Sequence, residues 1–383
     1  MRAFPIQYRL SGFYFWYYSI VGTFLPYWSL YLQDQGFNYK EIGLLSSIAI
    51  LTRIFAPFIW GFIADKTGKR MLLVRIATWM EATIWFLIFI IPNNMQSIAL
   101  LMLIFSFFQN AILAQFEGVT LFWLGNKHTA EYGKIRKWGS IGFIVGVFSI
   151  GAIFDVIDVK YLPIMLLCIA FSAFIWSFSI KEPSSAPSAQ KILEPLLPII
   201  KRPVVLAFFT IEFIMLFAQA PFSNYLKLAG FNTTQIGFLW AVGVIAEIMM
   251  FNYANFFLSR FSWRSLVALC LVMTSIRFIL AGLFSESFLL QFISQSFHAF
   301  SFGLFHIIAM RVILQNFAAQ QQGRGQALYS TMWGLGVASG SILAGHYWEQ
   351  LTGAYIFIIA GLSALFGILL IQFLPKTLQA ASK

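Results

Sequence analysis

The chain has 383 residues, of which 60% are hydrophobic, 18% aromatic and only 10% charged, and its mean hydropathy is +0.79. A water-soluble domain carries roughly 25% charged residues, so this composition excludes a soluble enzyme, a disordered chain and a nucleic-acid binder. The formal charge of +11 has to be read from its placement along the chain. Cys168 and Cys270 both lie in apolar runs and imply no disulfide framework.

A helix needs about 20 mostly apolar residues to cross the hydrocarbon core. Twelve such runs are expected, at 8–32, 41–64, 71–91, 97–124, 134–156, 160–180, 203–229, 235–258, 264–284, 288–311, 326–350 and 354–374. The first run is too long for the core of a cleaved leader and is taken as a span. Its Tyr14, Tyr17 and Tyr18 are close enough along a helix to form a stripe on a cavity, and Tyr18 and Trp28 are expected to line a path. The second run carries Arg53 near its middle, a partner for an anionic ligand or for another acid. Between runs two and three stands Gly61-Phe62-Ile63-Ala64-Asp65-Lys66-Thr67-Gly68-Lys69-Arg70. This segment reads as a Gly turn with an Asp able to cap a helix start or to pair across a gate.

Glu81 interrupts the third run, Glu117 the fourth, and Arg136 opens the fifth. The Pro- and Ser-containing stretch 181–202 reads as a linker, dividing the chain into 1–180 and 203–383. Glu212 interrupts the seventh run, and Phe222 is a candidate for lining the path. Glu247, Arg277 and His298 lie near the middles of runs eight, nine and ten, so all three reach a similar depth. Charged residues inside a span usually face a cavity or a partner, and these three are read as a coupled cluster able to hold a proton and an anion. A buried carboxyl such as Glu81 or Glu212 is a further proton-carrier candidate. His306 falls about 80° around the helix from His298 at 3.6 residues per turn, and is expected to pack rather than to share the site.

Lys40, Lys160 and Lys227 fall on one side of the membrane, and Arg53 and Arg277 fall within spans; the rest of the 25 Lys and Arg lie at the other side. The positive-inside rule then places both termini in the cytoplasm. The halves also repeat. Tyr31-Leu32, Gly36-Phe37-Asn38 and Ile42-Gly43 recur 194 residues later as Tyr225-Leu226, Gly230-Phe231-Asn232 and Ile236-Gly237. Gly142, Gly146 and Gly151 recur at the same offset as Gly336, Gly340 and Gly345. Two six-span halves that both begin inside are parallel repeats, an arrangement that puts a substrate site near the midplane between them. At this offset Arg53 matches Glu247 and Glu117 matches Arg311, so the halves do not copy each other's chemistry.

The loop 61–70 resembles the signature of the major facilitator superfamily. Within it the chain is similar to the lactose-permease side, most closely the bacterial 3-phenylpropionate permease group. Further residues carry this resemblance: 131–140 (Glu-Tyr-Gly-Lys-Ile-Arg-Lys-Trp-Gly-Ser), Ala246-Glu247, Ser275-Ile276-Arg277, Phe297-His298, His306 and Arg311. It implies an all-α membrane fold of twelve helices in two six-helix bundles, with transport by alternating access. It implies substrate roles for Glu117 and Arg136, and proton coupling by Glu247, Arg277 and His298. It also implies a gating role for Gly61, Asp65, Gly68, Lys69 and Arg70. The family pattern has a second acid three residues after the span-ten His, where this chain has Ser301. That departure counts against a sugar, and the expected function is proton-coupled uptake of a small aromatic carboxylate such as 3-phenylpropionate, with sugar or nucleoside symport, or efflux, as the alternatives.

The sequence contains no Gly-x-x-x-x-Gly-Lys-(Ser/Thr), His-Glu-x-x-His, Cys-x-x-Cys or Gly-x-Ser-x-Gly, so neither ATP-driven nor hydrolytic chemistry is expected. The expectation is a non-enzyme with no cofactor and no metal. Its partners would be a small-molecule substrate, a proton and the lipid bilayer, with no nucleic acid. It would act as a monomer in a bacterial inner membrane. A membrane sensor would need an output domain, and the longest polar stretch is only the linker.

Overall fold

The computed structural model describes residues 5–125, 128–182, 197–216, 221–318 and 321–374. Residues 183–196 of the expected linker lie outside the described residues, as do Arg2, Lys127, Lys191, Lys376 and Lys383 among the basic residues that set the orientation. The described residues are all-α, with no strand among them.

Among the described residues, a single helical turn at Leu197–Ile200 aside, twelve helices follow one another: α1 (Ile6–Asp34), α2 (Tyr39–Thr67), α3 (Arg70–Leu87), α4 (Met95–Leu124), α5 (His128–Phe154), α6 (Val159–Ser177), α7 (Pro203–Leu216 and Phe222–Leu228), α8 (Thr233–Arg260), α9 (Trp263–Leu283), α10 (Phe288–Asn316), α11 (322–351) and α12 (353–373). Among the described residues eight segments are long and apolar enough to cross a membrane, one of them being α11 and α12 run together as Gln322–Phe373. Thr352 divides that pair, with φ 60° and ψ 156° inside otherwise helical backbone. A β-branched residue rarely takes such a conformation, and the sharp turn it makes separates the two spans. α1, α3 and α7 supply the remaining spans in shorter or more polar form. α2 is interrupted by a 3-10 turn at Thr52–Ile54, so Arg53 projects from a break in the helix.

The chain forms two compact units. One holds α1 to α6 with residues 232–241; the other holds α7, the rest of α8 from Val242, and α9 to α12. In the first unit α1 packs on α5 and α6, and α3 on α4 and α6; in the second, α7 and α9 pack on the α11–α12 segment.

The 194-residue offset recurs in local hydrogen bonding. Gly36 (φ 89°) and Gly230 (φ 90°) both take the left-handed conformation that favours glycine. The Phe37 amide donates to the Leu32 carbonyl at 3.1 Å, and the Phe231 amide to the Leu226 carbonyl at 3.1 Å. Asn38 and Glu41 then form a reciprocal capping box, each side chain accepting from the other's amide at 3.0 Å. Asn232 and Gln235 do the same at 2.8 and 3.0 Å. The repeated glycines on the fifth and eleventh helices serve close approach. A Cβ on Gly142 would stand 2.2 Å from the Phe15 carbonyl oxygen of α1, and one on Gly336 would stand 2.7 Å from that of Phe213 on α7.

α5 ends at Phe154, and the next residue, Asp155, caps the start of α8. Its Oδ1 accepts from the Thr233 amide (2.8 Å) and hydroxyl (2.5 Å), and its Oδ2 from the Thr234 amide (3.3 Å) and hydroxyl (2.5 Å). Burial acts to raise the pKa of this carboxyl. The bonds from Thr233 and Thr234 outweigh it and hold the group below its ordinary value. Asp155→Ala should therefore lower stability by about 1 kcal/mol, the usual worth of a helix cap. A group whose pKa is depressed in the folded state stabilises above its unfolded pKa of roughly 4 and loses that contribution as pH falls through the folded value. Melting in detergent should separate wild type from Asp155→Ala at pH 7, and the gap should close in acid. A gap that persists at low pH would remove the cap from this account.

Candidate functional site

Each unit holds a polar cluster inside its membrane-spanning helices. In the first unit Arg136 of α5 lies at the centre. Its Nε is 3.6 Å from Glu117 Oε1 of α4, and its guanidinium also donates to the Tyr18 hydroxyl of α1. The guanidinium carbon lies 4.5 Å from the centre of the Tyr18 ring and 5.2 Å from that of Tyr14, within the range of cation–π attraction. Tyr132, one turn before Arg136, donates to Glu117 Oε1 at 3.3 Å. The side chains of Arg136 and Glu117 stay about one-third exposed. The cluster is therefore an organised ion pair on an aromatic platform with an open side. It can take an anion at the guanidinium, or hydroxyls between acid and base.

Arg53 stands apart from this pair. Its Nε donates to Asn110 Oδ1 at 3.3 Å, and Asn110 in turn donates to the Thr52 hydroxyl at 2.8 Å. Glu81 is wholly buried and its carboxylate oxygens have no hydrogen-bond partner among the described residues. Trp28 is buried in an aromatic nest, stacked with Phe24 (5.3 Å between centroids) and Tyr31 (5.4 Å) and edge-on to Trp85 (5.8 Å).

In the second unit the three charged residues expected to share a depth do meet. His298 Nε2 lies 3.7 Å from Glu247 Oε2. Arg277 Nη1 bonds His298 Nδ1 at 2.9 Å and donates to the Ser301 hydroxyl at 3.0 Å, while Nη2 donates to Gln295 Oε1 at 3.1 Å. A guanidinium only donates, so Nδ1 must accept. The ring proton then sits on Nε2 and faces the Glu247 carboxylate. The result is a directed run from guanidinium through imidazole to carboxyl. The Arg277 Nε–H is buried without a partner among the described residues, a donor left over for a ligand. Phe222 lies against Phe357, 6.1 Å between ring centres.

The structure corrects one angular expectation. Residues 299–304 form a π-helical stretch directly after His298. Its wider turn brings His298, Phe302 and His306 into one column of stacked rings, with centroids 5.5 and 5.7 Å apart. His306 is thus drawn into line with His298, and its Nδ1 bonds the Tyr329 hydroxyl of α11 at 3.1 Å. Such π stretches are frequent at functional sites. In the loop motif, Asp65 caps no helix; it pairs with Arg70 at 2.7 Å, and Arg70 also donates to Gln115 of α4 at 2.8 Å. Gly68 makes the turn with φ 68° and Lys69 precedes α3. Gly61 lies inside α2, where a Cβ would meet nothing within 4 Å, so no turn depends on it.

Residues 7–359 match the MFS_1 like family. The chain belongs to that family. It is a transporter of the major facilitator type and a multi-pass membrane protein. It is 25% identical over 366 residues to the probable 3-phenylpropionic acid transporter of Escherichia coli (strain K12), covering 92% of this chain and 93% of that protein. It is 24% identical over 395 residues to the maltose permease of Geobacillus stearothermophilus, covering 97% and 95%. Among solved structures, the nucleoside transporter NupG superimposes with a TM-score of 0.82 at 19% identity, covering 96% of this chain and 99% of that one.

Three neutral polar residues of the clusters carry no role in the sequence-based expectations: Tyr132 in the first unit, and Gln295 and Tyr329 in the second; Ser301, noted there only as a departure from the family pattern, proves to accept from Arg277. Each is uncharged and so raises no alarm in a hydropathy scan. Position was the available signal, since Gln295 and Ser301 each lie three residues from His298, where a helix places neighbours on one face.

Proposed function

We propose that the protein carries a small aromatic carboxylate such as 3-phenylpropionate into the cell together with a proton, by alternating access. The observation that carries this reading is the run Glu247–His298–Arg277, a titratable carboxyl and imidazole oriented by a guanidinium inside membrane-spanning helices. Proton coupling needs such a group, because a carboxyl must load and unload a proton within the transport path. Glu247 is assigned as the carrier. Arg136 is assigned to the substrate carboxylate, with Tyr14 and Tyr18 against the ring. Arg53, Trp28 and Phe222 are assigned to the walls of the path. The choice of substrate class is supported by the relative of that name, similar along nearly the whole of both chains. Asp65 and Arg70 are assigned to the gating loop. The two halves 1–180 and 203–383 would move as the alternating units, as a monomer in a bacterial inner membrane with both termini in the cytoplasm.

A second reading is proton symport of a sugar or nucleoside. It is favoured by the Glu117–Arg136 pair, since an exposed acid beside a base suits hydroxyl groups, and by the maltose permease relative.

The test is uptake of labelled 3-phenylpropionate into proteoliposomes with and without an inward proton gradient, with maltose and uridine as competitors. Gradient-driven accumulation that neither competitor suppresses supports aromatic-acid symport. Accumulation of maltose or uridine instead, with 3-phenylpropionate inert, transfers the assignment to the second reading.

A further inference from the structure

Two glycines flank Arg136 on α5, each three residues away: Gly133 and Gly139. Their surroundings differ. A Cβ on Gly133 would meet nothing within 4 Å. Gly139 is buried, and a Cβ there would stand 2.7 and 3.1 Å from Cδ2 and Cε2 of the Tyr18 ring and 2.9 Å from Nη1 of Arg136 itself. Carbon atoms pack at about 3.5–4.0 Å, so a methyl group at this position has to displace both side chains. The bare backbone of Gly139 is the surface on which the Tyr18 ring and the guanidinium rest together.

The neighbouring glycines of the same helix pair do something else. A Cβ on Gly142 would run into the Phe15 carbonyl of α1, one on Gly146 would stand 2.8 Å from the Ser19 carbonyl oxygen, and one on Gly22 of α1 would run into the Phe143 carbonyl of α5. The Ser19 hydroxyl donates to the Gly142 carbonyl at 3.1 Å. These three glycines let two backbones touch, which fixes the spacing of α1 and α5. α1 is therefore held in place beside Gly139, and only the side chains of Tyr18 and Arg136 can give way. The repeat separates the two kinds of glycine. Gly142 and Gly146 recur 194 residues later as Gly336 and Gly340, whereas the same offset sets Trp333 opposite Gly139 and Ser330 opposite Arg136. The glycine at 139 accompanies the arginine, and the repeated helix packing does not call for it.

Tyr18 touches the guanidinium twice. Its hydroxyl accepts from Arg136, and its ring centre lies 4.5 Å from the guanidinium carbon. Tyr14 is held independently, its hydroxyl donating to Thr120 of α4 at 3.2 Å and its ring edge-on to Phe116 at 5.0 Å. A methyl at 139 would thus leave Tyr14 in place and turn Tyr18 away. A long guanidinium side chain has several torsions with which to re-aim after such a push. A tyrosine ring has two.

We propose that Gly139 is a positioning and specificity-determining residue for the substrate: by presenting no side chain it lays the Tyr18 ring against Arg136 and so fixes where a ligand's ring and charge are received together. The proposal rests on the assignment of Arg136 to the substrate carboxylate and deepens it. Because the ring is the stiffer of the two groups, substitution at 139 costs recognition of the ligand's ring more than recognition of its charge.

The test has two arms, both on the full chain. In proteoliposomes, uptake of labelled 3-phenylpropionate is measured for wild type, Gly133→Ala and Gly139→Ala, with hexanoate, a carboxylate without a ring, as competitor. Gly139→Ala should raise the Michaelis constant severalfold, keep the maximal rate, and leave inhibition by hexanoate close to wild type; Gly133→Ala should match wild type throughout. In a Tyr18→Ala background the same substitution should add little, since residues in contact do not contribute additively. An unchanged Michaelis constant, a lost maximal rate alone, an equal weakening of hexanoate, or an equal penalty with and without the Tyr18 ring overturns the proposal. The second arm is melting in detergent without substrate. Arg136→Ala should shift the melting temperature less in the Gly139→Ala background than in wild type, whereas its shift should be unaltered by Gly142→Ala; equal shifts in wild type and Gly139→Ala overturn the proposal. If Gly139→Ala does not fold, adding Tyr18→Ala should restore folding by returning the space, and failure of that rescue overturns it as well. Coupled melting in a protein that carries no 3-phenylpropionate would count against the substrate reading alone.

Discussion

Glu247→Gln should abolish concentrative uptake and leave exchange intact. Glutamine has nearly the shape of protonated glutamic acid and can still meet His298 Nε2, which stands 3.7 Å from the carboxyl in wild type. It cannot release a proton. A carrier locked in that form still brings substrate across in either direction, but the proton gradient no longer does work on it. The accumulation ratio should therefore fall to that of passive equilibration, with no response to an imposed proton gradient. Counterflow of preloaded substrate should stay near the wild-type rate. Arg277 enters the same argument as a positioning residue. It donates to His298 Nδ1 and is itself held by Ser301 and Gln295, so the imidazole can present only Nε2–H to the acid. Accumulation that survives in Glu247→Gln would move the proton to another carboxyl.

Legibility in the amino-acid sequence tracks the strength of each residue's signal. Long apolar runs are nearly unambiguous in a chain this poor in charge, so all twelve helices are legible, including the division near residue 352. The repeat is legible because the turn chemistry is strict: only certain residues make a left-handed cap followed by a reciprocal box. Gly36-Phe37-Asn38 and Gly230-Phe231-Asn232 therefore keep both identity and spacing. Glu247, Arg277 and His298 stand out because ionisable groups are rare at mid-span, and equal depth implies meeting. The π-helical stretch after His298 leaves no such mark. Hydrophobic periodicity assumes 3.6 residues per turn, and a local widening to a longer turn changes the angle of His306 without changing any residue type. The same blindness hides Tyr329, an aromatic among many, whose hydroxyl partner comes from 23 residues away. Arg53 shows the limit in another way. Its charge is conspicuous, but the 3-10 break that carries it is not, and its partner Asn110 is one polar residue in a long apolar helix.

The sharpest division between the two substrate readings lies at Glu117 and Arg136, which should respond in opposite senses. Arg136→Ala removes the guanidinium over Tyr14 and Tyr18 and leaves Glu117 with Tyr132. If Arg136 receives a carboxylate, the Michaelis constant for 3-phenylpropionate should rise by about 30-fold or more, the effect of removing one partner of a desolvated charge pair at roughly 2–5 kcal/mol. Arg136→Lys should recover only part of this, because an ammonium lacks the planar fork that meets a carboxylate bidentately and stacks on tyrosine. Glu117→Gln separates the readings. In wild type, Glu117 occupies the guanidinium at 3.6 Å and would repel an incoming anion. Neutralising it frees Arg136, and affinity for an aromatic carboxylate should hold or improve. A sugar or nucleoside needs the acid as an acceptor for its hydroxyls. For such a substrate Glu117→Gln should cost a factor of about 10–100, the worth of a hydrogen bond to a charged group. Transport kinetics of Glu117→Gln with both substrate classes therefore decide between them: loss of 3-phenylpropionate uptake in that variant alone, with folding intact, would mean that the acid and not the base holds the ligand.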